Sequence, residues 1–156
     1  MDATDVKILA LLQADATLSI AEVAERVNLS PTPCWRRIQT LESQGVLRGR
    51  VALLDADSIN VGVTVFVRLR TQNHDAEWLE TFADGVSKID EVIEFHRLSG
   101  DIDYLLKIVV PDIGGYDAVY KRLIAVAEFS DVSANFVMET IKGTTALPLS
   151  YADLGR

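Results

Sequence analysis

Apolar residues recur at helical spacing through the first 45 positions and at a spacing of two from about position 62, and this change of period divides the chain. Val6, Ile8, Leu9 and Leu12 mark a first helix over roughly Thr4 to Ala14, with Asp2 and Asp5 near its positive end. Ser19 and Glu22 form a capping box that starts a short second helix, striped by Ile20, Val23, Ala24 and Val27 and ending at Asn28. Ser30 then stands as an N-cap with Pro31 in the first helical position, and Gly45 as a stop, so a third helix runs to about Gln44. The link Asn28-Leu29-Ser30 has the length of a helix-turn-helix connection.

Counting about 100° per residue along the third helix gathers Cys34, Ile38 and Leu41 on one buried stripe. The opposite side presents Thr32, Arg36, Gln39, Thr40 and Ser43, flanked by Pro33, Trp35 and Arg37. Arg and Gln reach base edges in a major groove, while hydroxyls and cations hold phosphates. The same face also fits a merely solvated helix surface. Val46 to Leu54 reads as a strand pair or wing carrying Arg48 and Arg50, with Gly49 at the bend.

Downstream, Val63, Val65, Val67 and Leu69 alternate with Thr64, Phe66, Arg68 and Arg70, as in a strand. A helix over Asp75 to Lys88 carries Trp78, Leu79, Phe82 and Val86. Strands over Glu91 to Leu98 and Tyr104 to Val110 follow, joined by a turn at Gly100-Asp101. Tyr116, Val119, Tyr120, Leu123, Ile124 and Ala127 stripe another helix, and Val132 to Ile141 supplies a last strand. The order βαββαβ predicts a ferredoxin-like α+β domain with both helices on one face of the sheet. Its strands remain apolar on the second face, which predicts a cover, most simply the same sheet of another copy in a homodimer.

With 49% apolar and 24% charged residues, the chain has the composition of a folded protein and not of a disordered one. The net charge of −8 argues against a nucleic-acid partner until its distribution is read. Residues 1–50 hold six basic and six acidic side chains, so the whole excess of acid falls downstream. From Pro31 to Arg50, Arg36, Arg37, Arg48 and Arg50 face the single acid Glu42, a compact positive patch on an acidic protein. The lone Cys34 excludes an internal disulfide, and only His74 and His96 are present, away from any zinc-ligand spacing, so neither metal nor cofactor is expected. Cys34 reads as packing in preference to a sensor thiol. His96 reads as a satisfied strand residue and His74 as a loop residue. No run of 18 apolar residues occurs and the opening MDATDVK is not an export signal, which predicts a cytoplasmic protein without a membrane partner.

Asp101 and Asp103 are compatible with a carboxylate pair or a magnesium site, but their setting beside Gly100 favours a hairpin turn. No nucleophile with a neighbouring base and no phosphate-binding glycine loop can be read, so no catalytic residue is assigned. Two rivals to a DNA-binding regulator remain: an amino-acid-metabolising enzyme subunit, and a metabolite-sensing adaptor whose helix-turn-helix docks a protein.

The stretches Leu29-Ser30-Pro31-Thr32-Pro33-Cys34-Trp35-Arg36-Arg37 and Leu41-Glu42-Ser43-Gln44-Gly45-Val46-Leu47 resemble the helix-turn-helix of the Lrp/AsnC (feast/famine) regulators. Asp2 and Asp5 before Ile8-Leu9, Gly100-Asp101-Ile102-Asp103-Tyr104-Leu105, and Leu147-Pro148-Leu149 extend the similarity over nearly the whole chain. Arg50 departs from it, standing where many members carry an aromatic residue.

The resemblance implies a winged helix-turn-helix over 1–50, a linker strand or hinge over 51–61, a ligand-sensing βαββαβ domain over 62–142 and a tail over 143–156. It implies a transcription regulator on double-stranded DNA, with homodimers assembling to tetramers or octamers and an amino-acid-like effector. The expected DNA contacts are Ser30, Thr32, Pro33, Trp35, Arg36, Arg37, Gln39, Thr40, Arg48 and Arg50. The effector is expected at Ser99, Gly100, Asp101, Asp103 and Tyr104 of the hairpin and at Ser133 and Asn135 of the last strand.

Overall fold

Asp2 caps the first helix, α1 (Ala3–Ala14), and Asp5 returns the bond to the Asp2 N–H, so a capping box begins the fold. The computed structural model describes residues 1–73 and 75–154, which places the expected loop residue His74 outside the described residues. A second capping box, Ser19 with Glu22, starts α2 (Ile20–Arg26). Asn28 takes a left-handed φ of 56°, which lets the chain reverse into α3 (Pro31–Ser43). Ser30 occupies the N-cap of α3 without a side-chain bond. Pro33 lies at the third helical position, where the N–H that such a cap takes is missing. Gly45, at φ 71°, ends the helix, and Leu47 N–H closes on the Leu41 carbonyl at 3.0 Å.

These helices bury one core: Ile8, Leu9 and Leu12 of α1, Val23 and Ala24 of α2, and Cys34, Ile38 and Leu41 of α3. The chain divides into two compact units, and this one comprises Met1–Ala52 together with the segment from Lys142 onward. Leu149, at the start of a short 3-10 turn (Leu149–Tyr151), packs on the core. The Gln13 amide clasps the backbone of Leu147, accepting from its N–H at 3.0 Å and donating to its carbonyl at 3.1 Å.

The second unit, Leu53–Ile141, holds β1 (Val63–Arg70), α4 (Ala76–Ser87), β2 (Val92–Arg97), β3 (Tyr104–Val110), α5 (Ile113–Val126) and β4 (Asp131–Phe136). The strands form one antiparallel sheet in the order β2-β3-β1-β4, the split βαβ arrangement. Val65, Val67 and Leu69 of β1 and Leu106, Ile108 and Val110 of β3 are buried with Phe82, Val86, Val119 and Leu123 of the two helices. Trp78, Phe82, Phe95, Tyr104 and Phe129 add a cluster of ring contacts, with Phe82 within 5.0–5.3 Å of four of them. Gly85 allows the helices to meet: a Cβ there would come within 2.2 Å of Val126 Cγ1.

Three expectations are corrected. The strand pair over Val46–Leu54 and the strand alternative for 51–61 do not form; residues 48–55 lie outside regular structure and 56–60 turn. A strand needs a ladder, and those backbones find none among the described residues. Val51, Leu53 and Leu54 consequently stand 79%, 72% and 72% exposed. The last strand stops at Phe136 and does not reach Ile141, because β1 begins at Val63 and offers little beyond the Val65–Phe136 pair. Ile124, expected in the buried stripe of α5, is exposed.

Candidate nucleic-acid interface and effector site

Helix α3 buries Cys34, Ile38 and Leu41 and turns Thr32, Pro33, Trp35, Arg36, Gln39, Thr40 and Ser43 outward. The Trp35 ring is half exposed. No ion-pair partner meets Arg36 or Arg48 among the described residues, so their charges are free to meet an anion. The Thr40 hydroxyl bonds back to the Arg36 carbonyl at 3.0 Å and keeps its lone pairs outward.

Two of the expected cations are engaged. One guanidinium nitrogen of Arg37 donates to Asp2 at 2.7 Å and to Asp5 at 2.8 Å, both on α1. The bonds that Asp2 accepts from the Asp5 N–H and from Arg37 hold its carboxyl below the usual range. The same pair of carboxylates holds the Arg37 guanidinium more firmly protonated. Arg50 pairs with Glu42 at 3.1 Å, and Glu42 also accepts from the Gln39 amide at 2.8 Å. The positive patch is thus narrower than its composition suggests.

The Cys34 thiol is fully buried, and desolvation pushes its pKa up against a weaker opposing pull from Arg37. A protonated thiol in a packed stripe is a core group.

In the sheet unit, the expected effector residues are not all brought to one place. Ser99, Gly100 and Asp101 are exposed at the hairpin tip, where Gly100 takes φ 130° and Arg70 Nε donates to the Asp101 carbonyl. Ser133 and Asn135 sit on the face of β4 away from the helices, opposite Arg68 and Phe66, and Arg68 donates to the Ser133 hydroxyl at 3.2 Å. Tyr104 is a correction: its ring lies in the aromatic core, 5.3 Å from Phe82 and 6.0 Å from Trp78, and is only 2% exposed. The Asp103 carboxylate accepts from the Thr71 N–H at 2.9 Å, which fastens the hairpin to the end of β1. His96 lies 3.2 Å from Glu94 on β2, and Lys107 meets that carboxylate at 3.0 Å.

A cavity of about 540 Å³ opens at the same end of β1, lined in part by Thr71, Asn73, Trp78, Glu128, Phe129 and Ser130. Its volume is large enough to admit a small molecule. No motif marks these residues, and the only signal in the sequence was Trp78 on the helix stripe. No group of side chains able to hold a metal ion occurs among the described residues. None of the described helices is long and apolar enough to cross a membrane.

A helix-turn-helix with an outward cationic face, carried with a separate ferredoxin-like sensing domain, defines a ligand-responsive transcriptional regulator. Residues 1–48 match the model of the winged helix-turn-helix DNA-binding family, and residues 64–147 match that of the Lrp/AsnC ligand binding domain. The chain belongs to the Lrp/AsnC family. It is 51% identical to the glutamate uptake regulatory protein of Zymomonas mobilis over 96% of this chain and 91% of that one. The crystal structure of an AsnC family transcriptional regulator from Agrobacterium tumefaciens superimposes with a TM-score of 0.94 at 58% identity, covering 97% of this chain and 99% of that one. A transcriptional regulator of Neisseria meningitidis solved in complex with L-Met gives a TM-score of 0.91 at 38% identity, covering 96% and 97%.

Proposed function

We propose that two copies of the chain pair through the open faces of their sheets and present two α3 helices to a roughly palindromic duplex. Thr32, Arg36, Gln39 and Thr40 meet the major groove, Ser30, Pro33 and Trp35 line its edge, and Arg48 with Arg50 approaches the backbone beside it. The observation that carries this reading is the outward face of α3, where Arg36 stands beside hydroxyl and amide groups and has no ionic partner among the described residues. Pairing is supported by the open sheet face, where Phe66, Leu105 and Val109 remain partly exposed.

An amino-acid-like effector then acts by binding one arrangement better than another, shifting dimers toward tetramers or octamers or changing their affinity for DNA. The complex of the Neisseria relative with L-Met supports the ligand class, an α-amino acid. The backbone of the exposed residues Ser99 to Asp101 offers N–H donors for its carboxylate, and the Asp101 side chain suits its ammonium. The protein works in the cytoplasm without a cofactor, and we assign it no catalytic step.

Sedimentation and thermal melting of the purified chain with each proteinogenic amino acid in turn test the reading. Dimers or larger assemblies are expected, with at least one amino acid shifting the melting or the assembly, and Asp101→Ala removing that shift. A shift that survives Asp101→Ala and disappears in Trp78→Leu places the effector in the cavity beside Trp78 instead. A monomer under all conditions would contradict the pairing.

A further inference from the structure

Each of the two carboxylates at the start of α1 divides its oxygens between two helices. Asp2 Oδ1 accepts from the Thr4 N–H at 2.8 Å and the Asp5 N–H at 2.9 Å, capping α1, while its Oδ2 accepts from Arg37 at 2.7 Å. Asp5 Oδ2 accepts from the Asp2 N–H at 2.8 Å, completing the cap, while its Oδ1 accepts from Arg37 at 2.8 Å. The cap of α1 is therefore built into the seat of α3.

We propose that Asp2, Asp5 and Arg37 form a clamp that sets the rotation and height of α3 against α1, and that Arg37 is a positioning residue rather than a phosphate contact. Three observations carry this. Two carboxylates already engage the Arg37 guanidinium, so its charge and its donors are occupied within the fold, whereas Arg36 lines the same depression without such a pairing among the described residues. The Asp5 side chain is only 13% exposed, so its charge depends on Arg37 for compensation more than a solvated pair would. Arg36, one residue earlier and about 100° round the helix, has no ionic partner among the described residues and carries the outward charge. Ile8, Leu12, Ile38 and Leu41 share one buried cluster, but apolar attraction is non-directional and by itself specifies the rotation of α3 only through shape. Charge-assisted bonds of fixed geometry remove that freedom.

The proposal rests on α3 being the groove-reading helix, and its test separates the two ideas. A duplex selected from a random pool by the wild-type protein, and a scrambled duplex of equal length, are titrated over a salt series with wild type, Arg36→Ala, Arg37→Gln, Asp5→Asn and Asp2→Asn. Asp2→Asn keeps a good N-cap but removes the charge and turns an amide donor, in place of an acceptor oxygen, toward Arg37. For Arg37→Gln and Asp5→Asn the expected result is a loss of about tenfold in affinity for the selected duplex, the worth of roughly one base contact. Affinity for the scrambled duplex and the salt slope should stay near wild type in both.

Asp2→Asn should show the same pattern more weakly. Arg37→Gln combined with Asp5→Asn should be no worse than either alone. A role confined to stability would lower the melting temperature and leave the ratio of selected to scrambled affinity unchanged, which overturns the proposal. So does tighter binding of both duplexes by Asp5→Asn, or a salt slope reduced in Arg37→Gln by about 0.9 for each lost phosphate contact. If Arg36→Ala leaves both affinities intact, it is the groove-reading assignment of α3 that fails.

Discussion

The two units finish their surfaces differently. In the helical unit, α1 and α2 begin at capping boxes and the core is closed by Leu149 from the far end of the chain, so the outward side of α3 is polar apart from Pro33 and the half-exposed Trp35. In the sheet unit, one face is packed with aromatic and branched side chains while the other leaves Phe66, Leu105 and Val109 partly exposed. The nearby chain end of this unit leaves Met138 and Ile141 95% and 92% exposed. A surface that has spent its apolar groups is suited to a charged, hydrated partner, whereas a surface that has not is suited to a second protein layer. The two kinds of partner proposed, DNA and another copy, follow this division.

The chain contains one tryptophan in each unit, Trp35 in the helical and Trp78 in the sheet, so Trp35→Phe and Trp78→Phe backgrounds report the units separately. The largest effect should come from Phe82→Ala, which empties the centre of the aromatic cluster and should cost the sheet unit about 3–5 kcal/mol in urea unfolding. If the Trp35 signal falls by as much as the Trp78 signal, the units are not independent cores. Next is Gly85→Ala, whose new methyl collides with Val126. It should cost about 1–3 kcal/mol, with partial relief by Val126→Ala.

Smaller still is a contrast between two serine caps. Ser19→Ala removes the hydroxyl bonded to the Glu22 N–H and should cost the helical unit about 1 kcal/mol. Ser30→Ala should leave thermal stability unchanged, since that hydroxyl makes no cap bond. An equal loss in both variants would show that cap chemistry does not separate them.

The smallest effect is one of pH. Asp2 is bonded to the Asp5 N–H and Arg37, and Glu22 to Ser19, and both have folded pKa values below the ordinary range. Their contribution is present above the unfolded value, about pH 4, and is lost as pH falls through the folded values. Far-UV melting should therefore drop between pH 6 and pH 3, and a helical unit more stable at pH 3 would contradict it.

What was legible in the chain was local. Capping boxes, Pro31, Gly45 and the stripes on each helix lie within a turn or two of the structure they specify, so element types and order could be read directly. Failures arose where a partner lies far along the chain or outside it. Nothing in helical periodicity joins Arg37 to carboxylates more than 30 residues earlier, at separations of 35 and 32. The run Tyr104 to Val110 is apolar on both faces apart from Lys107, so its alternation did not say that Tyr104 turns inward. Val51, Leu53 and Leu54 have strand character but no neighbour to form a ladder. The cavity beside Trp78 gathers residues from the β1–α4 and α5–β4 connections, which meet only in the folded sheet unit.

The most direct test of the account is a hydroxyl-radical footprint of the purified protein on a duplex that it selects. Two copies presenting α3 should protect two patches on one side of the duplex, about one helical turn or a whole multiple of it apart, and Arg36→Ala should erase both. A single patch, or protection that Arg36→Ala leaves intact, would contradict it.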